Sequence, residues 1–134
     1  MDVTEDVAVV GPGAVGTTVA AYLFAAGHPV RVCGRTPRSQ IELRPDGADR
    51  TTVPGPVCID PDEITGPVST VLLAVKATQN ADAARWLARL CGEDTIVVVL
   101  QNGVEQVEQV QPLCQVSTVV PELFIVGTVA GLGL

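Results

Sequence analysis

An α/β fold is what the sequence predicts: a doubly wound, mostly parallel sheet with helices on both faces. Three observations predict it. Apolar runs of Val, Ile, Leu and Ala alternate along the chain with helical segments. Those runs are apolar at nearly every position, as strands buried on both faces require. The first of them breaks into a glycine-rich turn that opens a helix. The chain has 134 residues, 47% of them hydrophobic and 17% charged, which suits one compact domain, 1–134, and excludes a disordered chain.

The elements follow in order. Residues 6–10 form a short apolar strand that ends at glycine. Residues 14–26, small side chains throughout, form a helix that Gly27 stops. Val30–Cys33 is a second strand. Residues 36–55 are rich in Pro, Arg, Asp and Gly and are expected to be a loop with little regular structure. Residues 57–59 are a candidate short strand, and 70–75 a strong one. Asn80–Leu90 is a helix, with Ala83, Ala84, Leu87 and Leu90 spaced to face a core. Residues 95–100 are another buried strand, 104–110 a short helix, and 116–129 one or two late strands interrupted by Pro121.

Composition removes several function classes. The net charge of −7 and the scarcity of aromatics (Tyr22, Phe24, Trp86 and Phe124) argue against nucleic acid. Residues 7–30 carry no Asp, Glu, Lys or Arg over 24 positions, which imitates a membrane span. The acidic flank and the breaks at Gly11-Pro12-Gly13, Gly27 and Pro29 point instead to a strand, a turn and a helix. No membrane partner is therefore expected. Cys33, Cys58, Cys91 and Cys114 form no C-x-x-C pair, and there is one histidine, so no metal site is expected. Reduced thiols in the cytoplasm are the simplest reading.

Gly11-Pro12-Gly13-Ala14-Val15-Gly16 fits G-x-G-x-x-G between the first strand and the first helix. In that context it is the phosphate-binding turn of a Rossmann-type, dinucleotide-binding fold. Gly11 permits the tight turn, Gly13 lets backbone approach phosphate, and Gly16 allows close helix–strand packing. Pro12 has no N–H, so Gly13 and the residues just after it are expected to supply the donors. The alternative is a purely structural glycine turn. The second strand addresses which cofactor binds. It closes on Gly34-Arg35 with no carboxylate until Glu42, and Arg35 lies 19 residues after Gly16. Its planar fork suits a ribose 2′-phosphate, with Arg38 in support, which favours NADP(H) over a solvated loop arginine.

Lys76, the only lysine, follows the third strong strand, and Gln101-Asn102-Gly103 follows the next. Both stand at the carboxyl edge of the sheet, where open α/β folds bind ligands. Lysine there offers a charge to phosphate or to an acidic substrate, and the amides can hydrogen-bond ribose or a substrate carboxylate. Either segment alone could be strand-end punctuation. His28 reads as a turn residue and Asp60, Asp62 and Glu63 as a solvated loop. Trp86 is expected to pack its helix against the sheet or a neighbouring subunit.

Taken together, Gly11 to Gly16, Ala26-Gly27-His28, Gly34-Arg35, Val75-Lys76-Ala77-Thr78-Gln79 and Gln101-Asn102-Gly103 resemble the N-terminal domain of the ketopantoate reductase family. The resemblance spans roughly residues 7–110. It implies NADPH-dependent reduction of a 2-keto acid, ketopantoate to pantoate, on the route to pantothenate and coenzyme A. It also implies that Arg35 binds the 2′-phosphate, that Lys76 lies against the cofactor, and that Asn102 touches cofactor and substrate. The family's helical C-terminal domain, with the lysine that protonates the developing alkoxide, has no match here. No catalytic residue is therefore expected in this chain, which should bind NADPH but turn over little or no keto acid. Two other readings stay open: a stand-alone nucleotide-sensing Rossmann module, and a fragment that binds nothing. If a covering domain has been removed, self-association through apolar residues 116–134 is expected.

Overall fold

The computed structural model describes residues 4–11, 13–43, 50–75, 80–100, 110 and 118–121. Five parallel strands form one sheet in the order β2-β1-β5-β6-β7. They are β1 (Thr4–Val10), β2 (Val30–Cys33), β5 (Val68–Leu73), β6 (Ile96–Val99) and β7 (Thr118–Pro121). Helix α1 (Ala14–Ala25) connects β1 to β2, and helix α2 (Asn80–Leu90) lies between β5 and β6. The chain builds outward from β1 to β2 and then returns to β5 on the opposite side of β1. That reversal makes a topological switch point between β1 and β5.

Alternate residues of one strand serve two cores, the period-2 consequence of a pleat buried on both faces. Val9, Leu72 and Val98 pack with Ala20 and Ala21 of α1. Ala8, Val10, Val71, Leu73, Val97 and Val99 pack with Ala83, Trp86, Leu87 and Leu90 of α2. Trp86 is thus a core residue joining helix to sheet. Small side chains on α1 let it lie close to the strands, whereas α2 covers its face with larger ones. Burying Leu87 or Leu90 contributes about 1.5–3 kcal/mol each. Thr95 is the one buried polar side chain among the described residues, and both of its needs are met. Its hydroxyl donates to the Val68 carbonyl at 2.6 Å and accepts from the Gly92 N–H at 2.9 Å.

Among the described residues, the strands expected at 6–10, 30–33, 70–75 and 95–100 and the helices expected at 14–26 and 80–90 are present, with ends shifted by at most two residues. The third strong strand starts earlier than 70–75, at Val68, because Val68 pairs with Thr4. Residues 36–55 are not the loop with little regular structure that their composition predicts. An antiparallel pair stands there, β3 (Gln40–Leu43) with β4 (Thr51–Pro54), and it packs on α1. Ile41 faces Val53, and both are buried in the α1 core, so local polarity gave way to an apolar residue at every second position. Candidate strand 57–59 reduces to one parallel bridge, Cys58 to Cys33. The acidic segment is a 3-10 turn, Pro61–Glu63, capped by Asp60, with Asp62 paired to Arg89 of α2 at 2.8 Å. Of the expected helix 104–110 only Val110, helical and buried, is among the described residues. Beyond Pro121, the last residue of β7, the expected late strands lie outside them.

Candidate functional site

Four strands end in line at one edge of the sheet. The Gly11 N–H donates to the Cys33 carbonyl at 2.8 Å, tying the end of β1 to the end of β2. The Ala74 N–H donates to the Val10 carbonyl at 2.9 Å, and the Leu100 N–H to the Leu73 carbonyl at 2.8 Å. This carboxyl edge is where the glycine turn opens into α1, beside the switch point. Gly13 is the helix N-cap, with no side-chain cap and no acid in the first turn. The first helical N–H groups, of Ala14, Val15 and Gly16, have no acceptor within the helix and present a positive dipole end.

The Gly13 N–H is engaged inside the turn, donating to the Gly11 carbonyl at 2.9 Å. The groups left for an anion are those of residues 14 to 16, one residue further along than expected. A tight turn closes on itself before it can serve a ligand.

The three motif glycines have different reasons to be glycine. Gly11 has φ +93°, a left-handed conformation that side chains rarely adopt, and a Cβ there would stand 2.9 Å from Val75 Cγ1. At Gly16 a Cβ would overlap the Gly11 carbonyl oxygen, so close packing of helix on strand excludes one. Neither argument holds at Gly13. Its φ of −78° is ordinary, and no described atom lies within 4 Å of where its Cβ would be. Nothing among the described residues demands glycine at 13; a group approaching the exposed turn from outside would. This open, anion-favouring cradle fits the pyrophosphate of a dinucleotide.

Arg35 stands just past β2 with its side chain 70% exposed. It is not free: Nη1 lies 3.5 Å from Oδ2 of Asp82, in the first turn of α2. Arg38 stands three residues further along. It lines an open cavity of about 440 Å³ with Pro37, Ser39, Pro56, Val57, Ile59 and Glu63. Two residues before Arg35, Cys33 is fully buried, with Cys58 bridged beside it; Cys33, Cys58 and Cys91 form no disulfide. Burial, reinforced by Cys58 and opposed by Arg31, pushes the Cys33 thiol up to about 12. It is protonated at neutral pH and is no nucleophile.

Of the residues singled out from the sequence, Gly11, Gly13, Ala14, Val15, Gly16 and Arg35 are placed at this edge. Pro12, Lys76 and Asn102 lie outside the described residues, as do Gln101 and Gly103. Asp82 is the residue that sequence reasoning missed. It lies 47 residues from Arg35 and looks like any acid in a first helical turn. Among the described residues no three His, Cys, Asp or Glu side chains gather as a metal site needs, and no helix is long and apolar enough to cross a membrane.

Parallel strands in this order, with a glycine turn leading from β1 into α1, define a Rossmann-type domain. Comparison with known proteins narrows this further. The family model described as ketopantoate reductase PanE/ApbA matches residues 7–130, and the chain belongs to that family. It is 64% identical over 117 residues to the 2-dehydropantoate 2-reductase of Mycobacterium tuberculosis, a match covering 87% of this chain and 40% of that protein. Among solved structures, a PanE/ApbA family ketopantoate reductase from Ralstonia eutropha superposes with a TM-score of 0.70 at 28% identity, over 87% of this chain and 40% of the other. A dimeric ketopantoate reductase from Staphylococcus aureus does so with 0.66 at 28% identity, over 87% and 38%. The chain thus spans about 40% of the length of these relatives.

Proposed function

We propose that this chain is the NADPH-binding domain of a 2-dehydropantoate 2-reductase, which reduces the 2-keto acid ketopantoate to pantoate in cytoplasmic pantothenate and coenzyme A biosynthesis. The observation that carries the cofactor reading is Gly13, an exposed glycine that nothing among the described residues requires, at the mouth of a helix without a side-chain cap. The turn of residues 11 to 16 holds the pyrophosphate, with donors from 14 to 16. Arg35 meets the 2′-phosphate with its planar fork. Lys76 lies against the cofactor, and Asn102 reaches both cofactor and keto acid. When bound, NADPH supplies the hydride; the protein's part is to orient it and hold the substrate beside it. The proton donor and most substrate ligands belong to the family's helical domain. The active protein is a homo-oligomer, a reading supported by the dimeric Staphylococcus relative.

Trp86 is only 5% exposed and sits in the core, so its fluorescence is a poor reporter of cofactor contact. Calorimetric titration of the chain with NADPH, NADH and ADP is the better test. NADPH should bind at least tenfold more tightly than NADH. Equal affinity for all three would favour a nucleotide-sensing module, and no binding of any would sink the reading.

A further inference from the structure

We propose that Asp82 sets the strength of 2′-phosphate selection, by occupying Arg35 as an internal anion that an incoming phosphate must displace. This rests on the cofactor reading above, in which Arg35 meets the 2′-phosphate. The ion pair links the segment after β2 to the helix after β5, two strands that flank β1 and its glycine turn. It does little for stability. At 3.5 Å, with the two side chains 70% and 63% exposed, it belongs to the class of surface pairs worth almost nothing to folding. The same exposure makes it exchangeable, because water and salt compete with it at every moment.

Its consequence is electrostatic. A 2′-phosphate brings a charge of about −1.5 to −2 and takes the guanidinium in a bidentate grip, stronger than one 3.5 Å contact with a carboxylate. Once displaced, the Asp82 carboxylate remains attached to the first turn of α2 and repels the phosphate that replaced it. Arg35 therefore attracts the phosphate while Asp82 subtracts from that attraction. A nucleotide without the 2′-phosphate neither displaces the pair nor feels the repulsion strongly. Selectivity for the phosphorylated cofactor is thus lower than Arg35 alone would give, and release is correspondingly easier.

The test is a double-mutant cycle read by calorimetry on the 134-residue chain, with 2′,5′-ADP and 5′-AMP as probes. Asp82→Asn should tighten 2′,5′-ADP about three- to tenfold at low ionic strength, an effect that fades as salt is added. It should leave 5′-AMP unchanged, and its effect should shrink in the Arg35→Ala background, where there is no ion pair to displace and only the repulsion is left. Asp62→Asn, which removes an equal charge from the Arg89 pair, should not move the ratio of the two affinities. If Arg35→Ala weakens 2′,5′-ADP but Asp82→Asn leaves it unchanged, loosens it, or tightens both probes alike, the role of Asp82 is overturned and the cofactor reading stands. If neither probe binds, or Arg35→Ala changes nothing, the cofactor reading fails and this proposal falls with it.

Discussion

Gly13 and Gly16 lie three residues apart and answer to different forces. A methyl group at Gly16 meets the Gly11 carbonyl oxygen, backbone that cannot swing aside. The gain in helix propensity from Gly to Ala is about 1 kcal/mol at most, and overpacking costs roughly 1–3 kcal/mol, so the clash wins. Gly16→Ala should lower the chemical-denaturation midpoint. Gly13→Ala should cost no more than about 1 kcal/mol, because glycine is the better N-cap of the two, yet remove most NADPH affinity in a titration. Equal loss of stability in both variants would contradict this assignment. Cys33 offers a pH test. Its thiol rises from an ordinary 9.0 to about 12 in the fold, so the unfolded chain ionises first. Stability is fully present below pH 9 and falls between about 9 and 12, at up to about 1.4 kcal/mol per pH unit. Denaturation measured across that window should show a shallower slope in Cys33→Ala.

The antiparallel pair β3–β4 is an element whose value lies in what it covers. Ile41 and Val53 face each other across it and close the α1 side of the core over Val9, Val32 and Leu72. Ile41→Ala should therefore cost about 2–5 kcal/mol in denaturant unfolding, as a core truncation does, rather than the few tenths expected of a loop. The alternation in Gln40-Ile41-Glu42-Leu43 was visible along the chain. Four residues of it, next to Pro, Arg and Asp, did not outweigh the polar surroundings, because a lone two-stranded pair has little stability until a partner surface covers it. The buried parallel strands were far easier to read. Their apolar runs are nearly continuous, and strand, turn and helix follow one another without a gap.

The molecule as a whole matches about 40% of its relatives' length, with the carboxyl edge of the sheet and the proposed 2′-phosphate contact in that part. Assayed alone with ketopantoate and NADPH, the chain should show less than about one part in a thousand of a complete reductase's rate. Positioning two reactants and supplying a proton donor are each large terms in such a reaction. A rate within tenfold of a complete enzyme would show that the chain carries its own proton donor. Sequence carried the class of fold, the glycine turn and the family, since each depends on residues adjacent along the chain and on periodicities that repeat within a few positions. Tertiary structure alone decided that Ile41 meets Val53, that the Gly13 N–H is spent inside its turn, and that Asp82 faces Arg35. Those pairings join groups that a linear pattern leaves unrelated, and they exist only once the sheet has brought its strand ends to one edge.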